Sequence, residues 1–330
     1  FFFLSPLCKM SSEEEELSQE SLEEDNISQE ELYSQLLSYG YSFLPILQSI
    51  NPEFFDSLES QKQLRDIYGP FFFFSEEIQY CYYRYPVIQS SKVLEEDNLE
   101  SLQTQITLQR GSEFSLALDF NTEFIDKVCR SSCFPLGNKT NGKENLLVKL
   151  HQQRCVMRNL SQNLHVSKSA KKYSKRYMIT INADYKACTD AIHKYHKHSW
   201  LFPRIRACFD ELQSTSKYRT KVFSFELWNI MEVDKLPQTI EELKSNSKCK
   251  LVAGEIGYTV GAAYTSLTGY HTENSSGNVQ LLATGKLLQK LGYNIWDFGM
   301  SMEYKLRLGA EKVPRAEFIK LYKESSTMDV

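Results

Sequence analysis

Residues 295–298, Ile-Trp-Asp-Phe, place a carboxylate inside what reads as a short buried strand. Asp297 lies between two large aromatic residues, and the glycine at position 299 is expected to end the strand. Burying a carboxylate is costly unless the group is paired or hydrogen-bonded. Two uses would justify that cost: accepting a proton during a reaction, or capping the N–H groups of a helix that begins near residues 300–302.

A basic segment is the second feature that could take part in binding or chemistry. Five positive side chains fall within nine residues: Lys168, Lys171, Lys172, Lys175 and Arg176. If residues 167–174 form a helix, the four lysines share one face. That face suits a phosphate backbone, whose binding depends on salt and does not read sequence. A solvated helix face has the same composition, so both interpretations remain open from the pattern alone.

Histidine and cysteine form no metal-ligand pattern. His193, His196 and His198 are close together but lack the HExxH spacing, and the pair Cys129 and Cys133 has no second pair after it. We therefore predict no metal site. Eight scattered cysteines in 330 residues indicate reduced thiols and a cytoplasmic protein.

The second half of the chain has the clearest secondary-structure pattern. Strands are predicted over residues 176–182, 222–230, 251–258, 260–268 and 293–298. Helices are predicted over residues 184–196, 239–243 and 314–322, and a further helix follows the cap residues 274–277 and runs to about residue 291. Gly292 ends that further helix, and Pro314 fits the first turn of the last. The order strand, strand, strand, helix, strand, helix is typical of the acetyltransferase-type core, so we predict an α/β (α+β) fold with a mixed sheet.

Charge is unevenly distributed along the chain. Ten acidic and no basic residues lie in residues 11–31, and the rest carries more basic than acidic side chains, which keeps nucleic acid open as a partner. We predict a disordered acidic tail over residues 1–31, an N-terminal domain over 32–160 with a polar insertion near 88–112, and a second domain over 161–330. No stretch approaches the roughly 20 apolar residues of a membrane helix, so we expect no membrane partner. We also expect the protein to be a monomer.

Three long stretches carry a specific resemblance. "LVAGEIGYTVGAAYTSLTGY" starts at Leu251, "QLLATGKLLQKLGYNIWDFGM" at Gln280 and "LRLGAEKVPRAEF" at Leu306. They resemble the leucyl/phenylalanyl-tRNA–protein transferase family, and "DFNTEFIDKVCRSSCFPLG", "LHVSKSAKKYSKRYMITIN", "SWLFP" and "FELW" extend the resemblance to about residues 114–325. Members of that family add an amino acid from aminoacyl-tRNA to the N-terminus of a protein.

The resemblance implies a GNAT-like acyltransferase domain at the C-terminal end, a smaller N-terminal α/β domain, and chemistry without metal or coenzyme. Asp297 matches the family's catalytic aspartate, which faces the transfer site and would accept or organise the proton that an α-amine loses as it attacks an ester. The family's pocket for the transferred side chain matches Tyr264, Leu281, Leu288 and Trp296.

Other substrate contacts follow from the same resemblance. Trp200 is a candidate stacking platform for the terminal adenine of the tRNA. Glu226 and Glu255 are candidates for recognising a basic N-terminal residue of the acceptor protein, and Ser266 and Thr268 supply hydroxyls to the site. The resemblance also favours tRNA contact over a solvated face for the basic segment.

Two positions depart from the family's pattern: Gly299 stands where the family has glutamine, and Leu267 where it has glutamate. We expect transfer of leucine or phenylalanine to the α-amine of a protein with a basic N-terminal residue, marking that protein for degradation. A catalytically silent protein that binds tRNA or N-termini is the first alternative. A coenzyme-A-dependent N-acetyltransferase is the second, disfavoured because no pyrophosphate-binding loop precedes the helix at Ser275.

Overall fold

The computed structural model describes residues 87–88, 90, 113–117, 119–140, 143–197 and 199–328 of the chain. The predicted acidic tail, nearly all of the predicted polar insertion, and His198 lie outside these residues. In the described part of the chain, no helix is both long enough and apolar enough to cross a membrane.

The described residues form two sheets and the helices that cover them. The strands are β1 (Val87–Ile88), β2 (Phe114–Ala117), β3 (Phe134–Thr140), β4 (Lys143–Lys149), β5 (Gln153–Arg158), β6 (Tyr177–Ile181), β7 (Lys221–Asn229), β8 (Lys250–Val260), β9 (Ala263–His271), β10 (Ile295–Asp297) and β11 (Glu311–Pro314). The helices are α1 (Thr122–Arg130), α2 (Leu160–Asn163), α3 (Lys168–Ser174), α4 (Tyr185–Tyr195), α5 (Pro203–Ser214), α6 (Ile240–Ser245), α7 (Ser276–Leu291), α8 (Glu303–Leu308) and α9 (Arg315–Ser326).

A seven-stranded mixed sheet forms the larger layer, with the strand order β11-β5-β10-β9-β8-β7-β6. β9 and β10 run parallel, and every other neighbouring pair in this sheet is antiparallel. The predicted succession of strands and helices from residue 176 onward is present, so the predicted α/β (α+β) fold is confirmed.

Local signals set the ends of the helices as predicted. α7 ends at Gly292, whose φ of 85° is a conformation that glycine adopts without strain. α3 begins after Ser167, whose hydroxyl accepts the Ala170 N–H at 3.1 Å. Pro314 is predicted in the first turn of the last helix but lies one residue earlier, as the N-cap of α9 and the last residue of β11.

The domain boundary predicted at residue 160 stays a prediction, and the seven-stranded sheet extends across it. β1 to β4 form a separate sheet with the order β1-β2-β4-β3. β5 pairs instead with β10 and β11 in the seven-stranded sheet, which therefore begins before residue 160. The sequence of β5, "QRCVMR", is short and mixed, and its place depends on pairing with strands more than a hundred residues away.

Side chains alternate between two faces of the seven-stranded sheet. The face under α7, here called the α7 face, holds the buried rings of Tyr264 and Trp296. The opposite face, here called the α9 face, is covered by α4 and α9. It carries Asp297 and Arg154, and the Arg154 guanidinium lies 4.7 Å from the centre of the Phe318 ring in α9.

The sheet opens between β9 and the chain that follows β10. The two strands pair over residues 263–265 and 295–297 only. β9 then continues to His271, while the other chain turns at Gly299, which has a φ of 68°. Among the described residues, 266–271 have no strand neighbour on this side. We call this gap the sheet opening.

Candidate active site

Asp297 forms a buried ion pair with Arg154 of β5. The Arg154 Nε donates to Oδ1 and Nη2 to Oδ2, both at 2.8 Å, and the two side chains are 0% and 1% exposed. Thr265 Oγ1 donates to Oδ2 at 3.1 Å, and the Gly299 N–H donates to Oδ1 at 2.8 Å. Each carboxylate oxygen thus accepts two hydrogen bonds, and this pairing makes burial of the charge tolerable.

The surroundings of Asp297 do not include the expected helix cap. That prediction, for residues 300–302, is wrong, because α8 begins at Glu303 and its first turn receives no side-chain cap. Of the backbone N–H groups, the carboxylate accepts only that of Gly299. Asp297 also points to the α9 face, whereas its neighbour Trp296 points to the α7 face. A new hydrogen-bond donor could reach Asp297 only by displacing one of the four that it already has.

Arg154 precedes Asp297 by 143 residues and was not among the predicted site residues. The guanidinium lies 5.5 Å from the centre of the Phe134 ring, and Nη1 is 2.5 Å from Nδ1 of His151. Burial and the Arg154 charge hold the pKa of His151 well below its usual value, so the imidazole is neutral and accepts this bond. The one available signal was indirect: a buried acid requires a partner.

A second buried acid, Glu255 of β8, lies on the α7 face and is 4% exposed. Tyr264 Oη donates to it at 2.9 Å, and Ser266 Oγ lies 3.4 Å from both carboxylate oxygens. Ser266 Oγ in turn accepts a hydrogen bond from Trp296 Nε1 at 2.8 Å. Burial raises the pKa of Glu255 to about 7. We call these four residues the Glu255 cluster.

Lys305 of α8 fixes the turn that borders the sheet opening. Its buried Nζ donates to the carbonyl oxygens of Phe298 at 2.7 Å and Met300 at 2.8 Å. Burial lowers the pKa of Lys305 to about 8, although the negative charges of Asp297 and Glu255 act in the opposite direction. Two sets of hydrogen bonds therefore fix the turn after β10: the bond from the Gly299 N–H to Asp297, and the two bonds from Lys305.

We expect Glu255→Gln to stabilise the protein at pH 8 and not at pH 4.5. The pKa of Glu255 rises from 4.5 to about 7 on folding, so its contribution to stability is fully present below pH 4.5 and is lost as the pH rises through 7. The difference corresponds to about 3 kcal/mol. Urea unfolding of both proteins at the two pH values measures it, and an equal difference at both would contradict the buried titration.

The part of the chain that carries both acids matches a known family. Residues 238–323 match the family model for leucyl/phenylalanyl-tRNA protein transferase. A leucyl/phenylalanyl-tRNA–protein transferase from Azotobacter vinelandii is 22% identical over 205 residues, which are 61% of this chain and 79% of that protein. The chain is thus similar, at a distance, to the leucyl/phenylalanyl-tRNA–protein transferases.

Two solved structures show a weak likeness in fold. FemX has a TM-score of 0.35 and 12% identity, over 70% of this chain and 78% of FemX. The C-terminal domain of a candidate lysylphosphatidylglycerol synthetase from Agrobacterium fabrum has a TM-score of 0.33 and 11% identity, over 71% of this chain and 78% of that domain. Scores this low say nothing about substrates.

The side chains expected to line the transferases' amino-acid pocket lie in one cluster. Tyr264, Leu288 and Trp296 are fully buried on the α7 face, and Leu281 packs against them. The ring centres of Tyr264 and Trp296 are 6.5 Å apart. Since Tyr264 and Trp296 also belong to the Glu255 cluster, the apolar side chains lie directly beside the buried acid.

Trp200 and Thr268 lie away from the Glu255 cluster. Trp200 is 7% exposed, with edge-on contacts to Phe134 and Phe209 at ring-centre distances of 6.3 and 6.1 Å. An adenine could stack on it only if one of these rings moved. Thr268 is turned toward the end of α4, where its Oγ1 lies 3.4 Å from Nε2 of His196.

Glu226 of β7 is also fully buried and occupied. It accepts hydrogen bonds from the hydroxyls of Thr180 and Ser224 and from the backbone N–H groups of Ala183 and Asp184. These contacts hold the turn that leads into α4, on the α9 face. Recognition of a basic N-terminal residue by Glu226 stays a prediction, for which this geometry leaves no unused acceptor.

The two departures from the transferases' pattern have structural counterparts. A Cβ atom at Gly299 would come no closer than 3.6 Å to another atom, so there is space for a side chain, but its positive φ strains any other residue. Leu267 is buried beside the β-bulge of β8 and β9. The glutamate that the transferases have at position 267 is therefore absent, and Glu255, in the neighbouring strand β8, is a buried acid near that position.

The basic segment forms the helix expected of it. Lys168, Lys171, Lys172 and Lys175 are exposed, Ala170 is buried, and α3 packs on α7. Among the described residues, none of these four lysines has an acidic partner within ion-pair distance. The segment therefore presents uncompensated positive charge to solvent.

Within the described ranges, no group of three or more histidine, cysteine or acidic side chains has the geometry to hold a metal ion. Cys129 and Cys133 are fully buried, and burial raises the pKa of both thiols. Neither is a ready thiolate ligand.

Proposed function

We propose that this protein transfers an amino acid from aminoacyl-tRNA to the N-terminal α-amine of an acceptor protein. The observation that carries the proposal is the family match over residues 238–323, which spans every element around the sheet opening from β8 to β10. The reaction is aminolysis of an ester, which is already activated, so it needs no metal or coenzyme. Positioning of the ester and the amine supplies much of the rate.

The finer parts of the proposal concern substrates. Leucine or phenylalanine fits an apolar cluster of Tyr264, Leu281, Leu288 and Trp296. The acceptor carries a basic N-terminal residue, and the added amino acid marks it for degradation. The protein works in the cytoplasm as a monomer.

Asp297 as the proton acceptor stays a prediction. Its ion pair with Arg154 and its position on the α9 face support a positioning role, in which it holds β10 and the turn at Gly299. Ser266, a half-buried residue on the α7 face, is the first residue of β9 beyond the pairing with β10, at the sheet opening.

A transfer assay tests the proposal. The protein is incubated with radiolabelled leucyl- or phenylalanyl-tRNA and an acceptor protein that begins with arginine or lysine. We expect label in the acceptor, and none when its α-amine is acetylated. Retention of tRNA without transfer would favour the silent binding protein, and consumption of acetyl-coenzyme A would favour an acetyltransferase.

The basic segment is proposed to contact the tRNA backbone. We expect replacement of Lys171, Lys172 and Lys175 by alanine to weaken tRNA binding and to reduce its salt dependence. Each lost phosphate contact should lower the slope of log affinity against log salt by about 0.7 to 0.9. Binding titrations at several salt concentrations measure this, with Lys248→Ala, in the loop before β8, as a surface control. An unchanged slope would assign α3 to ordinary solvated surface.

A further inference from the structure

We propose that Ser266 and Glu255 form a proton relay at the sheet opening, in which Ser266 takes the proton of the attacking amine and passes its own to Glu255. This inference rests on the proposed function and deepens it. Ser266 would be the catalytic residue that touches the amine, and Glu255 the final acceptor behind it.

The hydrogen bonds around Ser266 set the direction of transfer. Its Oγ accepts from Trp296 Nε1 at 2.8 Å. An indole N–H can only donate, so the hydroxyl proton of Ser266 is left to point at Glu255, 3.4 Å from each oxygen. A second lone pair on Oγ remains for a donor from outside. Ser266 is half-buried, at the first residue of β9 beyond its pairing with β10.

Glu255 differs from Asp297 in what pairs with it. Asp297 has an arginine, whereas the donors to Glu255 are neutral: the hydroxyls of Tyr264 and Ser266 and the amide of Gln280. A carboxylate compensated by neutral donors keeps affinity for a proton.

Three titratable groups face Glu255 from the surrounding elements: Tyr264 from β9, and Tyr304 and Lys305 from α8. Cys188 of α4 lies on the opposite face of the sheet, where its Sγ reaches the backbone carbonyl of Glu255. Burial raises the pKa of both tyrosines, so these two are neutral in the working range, and the charge of Lys305 lowers the pKa of Glu255. Burial outweighs that effect and leaves the pKa of Glu255 at about 7, which suits a base at physiological pH.

The proton balance closes without another reactant. The neutral α-amine attacks the ester carbonyl and forms the C–N bond. One N–H proton moves to Ser266 Oγ as the hydroxyl proton moves to the Glu255 carboxylate. When the ester C–O bond breaks, the same proton returns through Ser266 to the leaving ribose oxygen. An amide and a free tRNA hydroxyl result, and Glu255 is again ionised.

The test compares kcat for transfer, at saturating substrates and across pH 5.5 to 9, for Glu255→Gln, Ser266→Ala and Ser266→Thr. We expect kcat to fall by roughly 10²-fold or more for Glu255→Gln and Ser266→Ala, and Ser266→Thr, which keeps a hydroxyl, to recover most of it. The wild type should show a rise in rate near pH 7 that Glu255→Gln lacks. That rise should not move when acceptors with α-amines of different pKa are compared.

Glu273→Gln, which removes an acid two residues beyond the end of β9, is the matched control and should keep both kcat and the rise. If the wild type transfers but Glu255→Gln keeps kcat and the rise near pH 7, the relay is overturned and the proposed function stands. If the folded wild type transfers nothing, both are overturned.

Discussion

Replacing Arg154 with methionine is expected to lower the free energy of unfolding by about 3 to 5 kcal/mol. The variant leaves the fully buried carboxylate of Asp297 with only Thr265 and the Gly299 N–H as donors. An uncompensated charge in the interior costs far more than the packing that methionine restores. Urea unfolding at pH 7 measures the change.

Arg158, on the same strand, provides the matched control. Its ion pairs with Glu311 and Glu317 are partly exposed, with about a third of the arginine side chain open to solvent. Arg158→Met should therefore cost less than about 1 kcal/mol. A double variant, Arg154→Met with Asp297→Leu, should recover most of the lost stability, because a buried ion pair can be replaced by apolar groups at little cost. Equal effects of the two single arginine variants would contradict the buried pair.

Asp297→Asn separates a positioning role from proton transfer. The variant keeps the size of the side chain but leaves Arg154 charged and without its partner, so we expect a loss of stability of about 3 kcal/mol or more. Among folded molecules, kcat for transfer should stay within about tenfold of wild type, because the carboxylate points away from the Glu255 cluster.

The measurement is made well below the unfolding temperature, with the folded fraction determined in parallel. If Asp297 accepts the proton directly, kcat should instead fall by roughly 10²- to 10⁴-fold with tRNA binding unchanged. That result, together with near-normal turnover by Glu255→Gln, would show that Asp297, on the α9 face, accepts the proton instead of Glu255.

Local patterns were enough for the secondary structure around the site. The apolar spacing of α7 and the glycine after it predicted that helix to within two residues of its start. The alternation in β7 predicted that strand, and β8 and β9 were predicted from runs with small residues throughout. These signals depend on side chains a few positions apart. The short helix α6, predicted over residues 239–243, likewise formed at Ile240–Ser245.

The arrangement of the site could not be read in the same way. Trp296 and Asp297 are adjacent in sequence, yet alternation along β10 sends one to each face of the sheet. Arg154 reaches Asp297 only because β5 pairs with β10 in one particular register, and a shift of one residue would turn it to the other face. Glu255 was found as a candidate, but its link to Ser266 and Trp296 depends on the same long-range pairing.

The most direct measurement is the mass of an acceptor peptide with an N-terminal arginine after incubation with the protein and total aminoacyl-tRNA. We expect a gain of one amino-acid residue, located at the N-terminus by fragmentation, and no gain for the Nα-acetylated peptide. The mass of the gain also identifies the amino acid. An unchanged peptide in the presence of folded, tRNA-binding protein would rule out the proposed transfer, as would a gain of an acetyl group when acetyl-coenzyme A is supplied instead.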